Sequence, residues 1–379
     1  MFIGQMSRHP REYVPNHRDR CPALVNFGMR SVRFAHSKDD VSLAWTRSGS
    51  GPRLVKTAAW LTHLEYDPVS PIWSHWIEWL EGNFDYLRYD ERGCGLSDRT
   101  TGALGIDTWM ADLQSVLTAA RFDEPFAMMG MSQGSSIAIN YAVRNPDKVS
   151  KLVLYGGYAR GQFRRGDVAL EKFYRAVIDV LALGWEENNP AFNSVFTSRF
   201  ILDGTPEQIE WFRDLLRRTT RADLAAELLT ARAELDVTEL LSQVQCPTLI
   251  FHCEDDQVAP LAESEFMARR IPGSELVVLP GKNHILQKDE PAWAEFKKIV
   301  GAFLGGSAET ATSNAGLSAR ELQILDLICQ AKSNKEIARE LDVSEKTVRN
   351  HATNLFAKLG VKSRQEAILA AGTFSMQKN

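Results

Sequence analysis

The sequence predicts an α/β fold, a mostly parallel sheet with helices on both faces and a helical lid, followed by an all-α helix-turn-helix domain. Three observations carry that prediction. Short apolar runs ending in turn residues alternate with longer helix-like segments, as in a parallel sheet covered on both faces. An aromatic-rich helical stretch interrupts the alternation between about residues 159 and 236. Beyond a small, polar segment at 305–316, the chain reads as helix only. A length of 379 residues fits two domains at roughly 100–200 residues each.

Residues 1–30 are rich in Arg, His and Pro and have no apolar core, the composition of a disordered extension rather than a secretory signal. The body spans 31–304. Strands are expected at Arg53–Ala59, Phe84–Tyr89, Phe126–Met131, Lys151–Tyr155, Pro247–His252 and Leu276–Leu279, each a short apolar run closed by turn residues. Helices are expected between them, at Ile106–Ala120 and Ser135–Arg144. Within 159–236 the helical segments are Leu170–Leu183 and Pro206–Arg217. Most of the aromatics there, which include Phe192, Phe196, Phe200 and Phe212, fill the lid's own core, and a few face a pocket beneath it. Gly305-Gly306-Ser307 through Asn314-Ala315-Gly316 has the composition of a flexible linker to a domain at 317–379.

The net charge of −4 argues by itself against nucleic acid. The charge is unevenly placed, however. From Ala315 onward there are 10 Lys and Arg against 7 Asp and Glu, although the whole chain has 44 against 48. A basic tail thus follows an acidic body. The five cysteines include no C-x-x-C pair, so free thiols in a reducing cytoplasm are expected, with no zinc site and no other metal or cofactor. No apolar run approaches the roughly 18–20 residues of a membrane span.

Three helices can be read after the linker. Ser318-Ala319-Arg320-Glu321 has the S-x-x-E form of a capping box, and Leu322, Leu325 and Ile328 follow on one face. Ser333-Asn334-Lys335-Glu336 repeats the signal before Glu336–Leu341. After a turn at Asp342-Val343-Ser344, a longer helix buries Val348, Ala352, Leu355 and Leu359 at helical spacing. Two helices joined by a short turn make a helix-turn-helix, whose second helix fits the major groove. Its other face carries Lys346, Thr347, Arg349, Asn350, Thr353, Asn354 and Lys358, all able to donate to phosphates or base edges. The same residue types also make an ordinary solvated face.

Leu317-Ser318-Ala319-Arg320-Glu321, Ser333 to Ala338, Thr347-Val348, His351, Lys358 to Val361 and Arg364 resemble the DNA-binding domain of LuxR/NarL-type bacterial regulators. The resemblance implies base contacts from Arg349, Asn350 and Thr353, and phosphate contacts from Lys335, Lys346, Thr347 and Lys358. It also implies dimerisation through a fourth helix at about Gln365–Ala371. A homodimer would read an imperfect palindrome with half-sites about 10 bp apart. The implied setting is a bacterial cytoplasm, at the nucleoid.

In the body, Gly130-Met131-Ser132-Gln133-Gly134 has the G-x-S-x-G form between an apolar run and a helix-like segment. A sharp strand-turn-helix raises the serine above a sheet edge, and the glycines let the backbone turn. A serine hydroxyl needs a base to take its proton, and the base needs a carboxylate to orient it. Asp255 and Asp256 follow the strand Pro247–His252, and His284 follows Leu276–Leu279, in the order Ser, acid, His.

These features resemble the α/β-hydrolase superfamily from about Ser31 to Phe303, and Asp90 to Ser97 is similar to its D-x-R-G-x-G-x-S turn, which is mainly structural. The resemblance selects Asp256 over Asp255, completing a Ser132-His284-Asp256 triad, and implies an oxyanion hole from the N–H groups of Trp60 and Gln133. One departure stands out. The family often has His-Gly after the third strand, where this chain has Ala58-Ala59-Trp60.

Two functions follow. In the first, the hydrolase-like domain of a transcriptional regulator senses, and in some versions hydrolyses, a small carbonyl-containing metabolite. In the second, a metabolic serine hydrolase (esterase or lactonase) uses the helix-turn-helix for localisation or dimerisation. The partners expected are DNA, a small-molecule ligand or substrate and a second copy of the chain, with no membrane.

Overall fold

A computed structural model describes residues 31–99, 102–185 and 197–305, and, in the C-terminal region, 324–325, 327–329, 332–341, 343–359, 361 and 363. The linker, the expected helix at 365–371 and the aromatics Phe192 and Phe196 lie outside the described residues. So do the side chains of Asn350 and Lys358.

Eight strands form one sheet in the order β1-β2-β4-β3-β5-β6-β7-β8. β3 (Arg53–Lys56), β4 (Asp85–Tyr89), β5 (Phe126–Met131), β6 (Val149–Tyr155), β7 (Thr248–Cys253) and β8 (Glu275–Leu279) run parallel. These match the expected strands to within a residue or two, except that β3 stops three residues short of Ala59. There the chain leaves the sheet. Thr57 N–H donates to Met129 O at 3.0 Å, and the Thr57 hydroxyl reaches Gly134 O at 2.9 Å.

Two strands were not expected. β1 (Arg33–His36) and β2 (Ser42–Ser48) pair antiparallel, and β2 runs antiparallel to β4. β2 buries Leu43, Ala44, Trp45 and Thr46 as a block, so no apolar-polar alternation marks it.

Alternate residues of the central strands face opposite ways. Phe126 and Met128 join the core under α2 (Ile106–Ala119) and α3 (Gly134–Arg144). Ala127, Met129 and Met131 pack with α1 (Ser74–Asn83) and α8 (Pro291–Leu304), against an aromatic nest of Trp76, Trp79, Trp293 and Phe296. Trp76 and Trp293 lie 4.6 Å apart, in the range where ring pairs add about 0.5–1.5 kcal/mol beyond burial. α8 ends at Gly305 in the left-handed conformation, φ 71°, a glycine C-cap.

The lid contains α4 (Val168–Gly184), α5 (Pro206–Thr219) and α6 (Ala222–Ala233), and α7 (Leu261–Ala268) follows β7. Asp167 caps α4, and Thr205 with Gln208 forms a capping box on α5. At the base of the lid Arg160 bridges Asp236, and Gly161 N–H donates to Leu235 O at 2.7 Å. The lid's aromatic and leucine side chains, among them Tyr174, Phe212 and Leu228, belong to the same core as α2 and α3.

In the C-terminal region, α9 (Asn334–Glu340) starts at a capping box made by Ser333 and Glu336. α10 (Glu345–Leu359) starts after Ser344, whose hydroxyl accepts from Thr347 N–H at 3.1 Å. Val348, Ala352 and Leu355 are buried with Ile324, Ile328 and Ile337. Among the described residues no helix is long and apolar enough to cross a membrane.

Candidate active site and DNA-binding helix

β5 ends at Met131 and α3 begins at Gly134, so the intervening turn must be tight. Ser132 adopts φ 51°, a left-handed conformation that a side chain tolerates only under constraint. The flanking glycines allow the close approach. A Cβ on Gly130 would lie 2.6 Å from Ser135 Cα, and one on Gly134 would lie 2.6 Å from Thr57 Oγ1. Ser132 N–H donates to Tyr155 O at 2.9 Å, fixing the turn to the neighbouring strand.

The acid and the base stand at the ends of β7 and β8. His284 Nδ1 lies 2.6 Å from Asp256 Oδ2, with Nδ1–H as the donor. The other oxygen of Asp256 accepts the N–H groups of Val258 and Ala259 at 2.7 and 3.2 Å. Burial alone would raise the Asp256 carboxyl. The neighbouring His284, as a charge and as a donor, together with His252 and the Val258 N–H, outweighs burial, so the group is held below its ordinary range. Asp255 is exposed and Asp256 is buried. Only Asp256 reaches the imidazole.

Several groups that the sequence reading missed hold this pair. The carbonyl of Phe200, just after the undescribed lid segment, accepts His284 N–H at 2.9 Å, and its ring meets the imidazole edge-on at 5.5 Å. His252, wholly buried, sits with Nε2 3.6 Å from Asp256 Oδ2 and is anchored to Ser264 Oγ and Ala259 O. Burial lowers its pKa, which favours the neutral ring. Gly156 has φ 54°, and a Cβ there would stand 3.0 Å from His284 Cε1. The Gly156-Gly157 pair closing β6 was the available signal.

Ser132, Gln133, Trp60 and His284 line one cavity, whose other walls are mostly apolar and include Trp73, Phe200 and Phe212. Lys56 also lines it; burial pushes its amine down to about 8. Gln133 is the N-cap of α3, where main-chain N–H groups lack helical acceptors. Trp60 is buried, with its ring 6.2 Å from that of Trp185 on the lid. The loop that follows Trp60 is tied through Asp90. Thr62 Oγ1 and the N–H groups of Leu64 and Leu96 all donate to its carboxylate. In the same turn Arg92 is clamped by Asp112 and Asp39, at 2.6 and 2.8 Å. A Cβ on Gly95 would collide with Asp90 at 2.1 Å. This turn is a scaffold.

On α9 and α10, Lys335, Lys346, Arg349 and Thr353 are exposed and Thr347 is half-buried. Three of these side chains have local partners, the first being Thr347, whose hydroxyl lies 2.7 Å from that of Ser344. Thr353 Oγ1 donates to Arg349 O at 3.0 Å, and Arg349 lies 3.7 Å from Glu345. Among the described residues no group of three or more His, Cys, Asp or Glu could hold a metal.

Residues 74–291 match the family described as serine aminopeptidase, S33, and residues 315–371 match the luxR family of bacterial regulatory proteins. Pyrrolizixenacetamide deacetylase of Xenorhabdus hominickii is 25% identical over 274 residues, covering 70% of this chain and 95% of that protein. The transcriptional regulatory protein LiaR of Bacillus subtilis (strain 168) is 34% identical over 134 residues, which is 35% of this chain and 63% of LiaR. This chain therefore spans somewhat less than two thirds of LiaR. The crystal structure of a hydrolase from Pseudomonas aeruginosa PA01 covers 73% of this chain and 98% of its own at a TM-score of 0.59 and 24% identity, a likeness of fold. The chain thus belongs to the serine aminopeptidase S33 family of α/β hydrolases and carries, behind that fold, a DNA-binding region of the luxR family of bacterial regulatory proteins.

Proposed function

We propose that this chain is a transcriptional regulator whose hydrolase domain, residues 31–304 with a lid at about 159–236, binds and hydrolyses a small carbonyl compound of the ester or lactone class. A linker at 305–316 would join it to the DNA-reading domain at 317–379. The observation that carries the reading is the hydrogen bond from His284 Nδ1–H to the buried Asp256, at 2.6 Å, beside a cavity that Ser132 lines. A pure scaffold has no need of that pair.

Ser132 Oγ attacks the carbonyl carbon while its proton passes to His284 Nε2, and the N–H groups of Trp60 and Gln133 hold the oxyanion. Collapse expels the alkoxide, which takes that proton from His284. Water then adds to the acyl group on Ser132, giving its proton to His284. The second collapse releases the carboxylic acid and returns the proton to Ser132 Oγ. Asp256 stays ionised and orients the imidazole throughout. The mostly apolar wall suits a small ligand with an apolar part.

For DNA, Arg349, Asn350 and Thr353 would meet base edges, and Lys335, Lys346, Thr347 and Lys358 would meet phosphates. A homodimer would read an imperfect palindrome. Ligand binding would act by changing operator affinity, which requires a coupling free energy between the two sites.

The test is a metabolite screen by thermal shift on the full chain, with hits then assayed for their effect on operator binding. A tight ligand that shifts operator affinity is expected. One that never does so leaves only the metabolic hydrolase. Ser132→Ala should cut hydrolysis of p-nitrophenyl acetate by roughly 10⁶-fold and leave unliganded DNA binding intact; an unchanged rate would remove Ser132 from the chemistry.

A further inference from the structure

A second cavity shares Trp60, Ser132, Gln133 and Phe200 with the apolar one but has different walls. Two arginines line it, Arg199 before the lid helix α5 and Arg232 on α6, together with Gln162. Arg232 is 2% exposed. It pairs with the equally buried Glu91 through Nη2, while its Nε and Nη1 have no acceptor among the described residues. Gln162, 6% exposed, leaves its side-chain carbonyl end unmatched. Arg199 donates from Nε to the main-chain oxygen of Gln257 at 2.9 Å and pairs with no carboxylate among the described residues.

Glu91 balances Arg232, whereas Arg199 makes no ion pair among the described residues and feels the Asp256 carboxylate only at longer range. Unsatisfied guanidinium N–H groups at such depth are costly, and a ligand acceptor in the cavity would relieve that cost. A carboxylate offers acceptor sites on two oxygens, matching a cluster of unspent donors, and charge-assisted bonds are about twice as strong as neutral ones. A neutral ligand would leave Arg199 without a direct ion-pair partner among the described residues.

We infer that this second cavity is a carboxylate subsite, so that the natural ligand is an ester or lactone bearing a carboxylate, held by Arg199 and Arg232 with its carbonyl at Ser132 and its apolar part in the first cavity. The inference deepens the proposed function and rests on it for the ester or lactone class and the position of the carbonyl, whereas the carboxylate subsite itself does not.

Binding and turnover test it separately on the full chain. By calorimetry at pH 7, glutarate should bind at least about tenfold more tightly than its neutral isostere glutaramide. Arg199→Gln should erase that difference, and Arg199→Lys should restore part of it. The double variant Glu91→Gln/Arg232→Gln removes the buried pair as a unit, avoiding an orphaned carboxylate, and should also erase the difference. In turnover, mono-p-nitrophenyl glutarate should exceed p-nitrophenyl valerate in kcat/KM by at least about tenfold, with Arg199→Gln removing that advantage by lowering the anionic ester far more than the neutral one. Equal binding of glutarate and glutaramide by the native chain overturns the subsite, whatever the ester rates. Arg199-dependent glutarate binding with neither ester cleaved upholds the subsite and removes the hydrolase reading instead.

Discussion

The region around Ser132, Asp256 and His284 and the two C-terminal helices α9 and α10 are built on opposite plans. Ser132, Asp256 and His284 come from three distant strand ends and are positioned by partners elsewhere: Thr57, Gly156, His252 and Phe200. The groups expected to meet DNA fall within residues 335–358, on two helices that their own caps and a small apolar seam define. Geometry in the first region is set by long-range burial. In the second it is set by helical period. The first should therefore fail when remote residues change, and the second only when local ones do.

The largest effect that separates the two is expected from Asp256→Asn. The amide cannot hold the imidazole in the productive tautomer, so ester hydrolysis should fall by about 10⁴-fold while operator affinity stays constant. A rate within tenfold of the native chain would mean that another group orients His284.

A pH titration draws the same line through stability. His75 on α1 is buried, with Nε2 2.9 Å from Leu286 O, and burial pushes its imidazole down to about 4. An unfolded histidine titrates near 6.5. Between those values the unfolded chain takes up a proton that the folded one refuses. This contribution to stability is therefore intact above about pH 6.5 and is lost as the pH falls towards 4, by up to about 3 kcal/mol. Urea unfolding at pH 7 and pH 4.5 should show the loss, and His75→Gln should flatten it. Equal acid sensitivity in both proteins would assign the loss elsewhere.

Gly156→Ala tests remote control of the triad directly. The added methyl would stand 3.0 Å from the His284 ring on a backbone at φ 54°. Small displacements of reacting groups cost about 10²-fold in rate, and that drop in kcat is expected with DNA binding untouched. A fully active variant would show that the imidazole has room to move.

The smallest effect lies on α10. Arg349→Ala should weaken specific operator binding by about 1–3 kcal/mol if the guanidinium reads a guanine, and leave hydrolysis unchanged. Equal affinity for specific and scrambled DNA in both proteins would reduce Arg349 to its exposed contact with Glu345.

The two plans also explain what could be read in advance. The strand-turn-helix around Ser132 and both helix caps at Ser333 and Ser344 are local patterns, so residue type and spacing reveal them. The β1–β2 hairpin escaped because burial of Leu43 to Thr46 on both sides erases the alternation that marks a strand. The apolar pattern runs on to Ala59, whereas β3 stops at Lys56, next to Thr57, whose hydroxyl bonds to Gly134 O on an element far along the chain.

The sequence by itself determined the class of fold, the places of Ser132, Asp256 and His284 after strands, and a C-terminal helix-turn-helix region. Each is written in short-range periodicity or in a motif whose glycines answer to nearby backbone. Only the tertiary structure decided that His252 and Phe200 hold the Asp256–His284 pair, which glycine must stay bare beside it, and that Arg199 and Arg232 share a cavity with Ser132. Those facts depend on which surfaces meet when the sheet and lid close. Burial and unmatched hydrogen-bonding groups exist only in the folded chain.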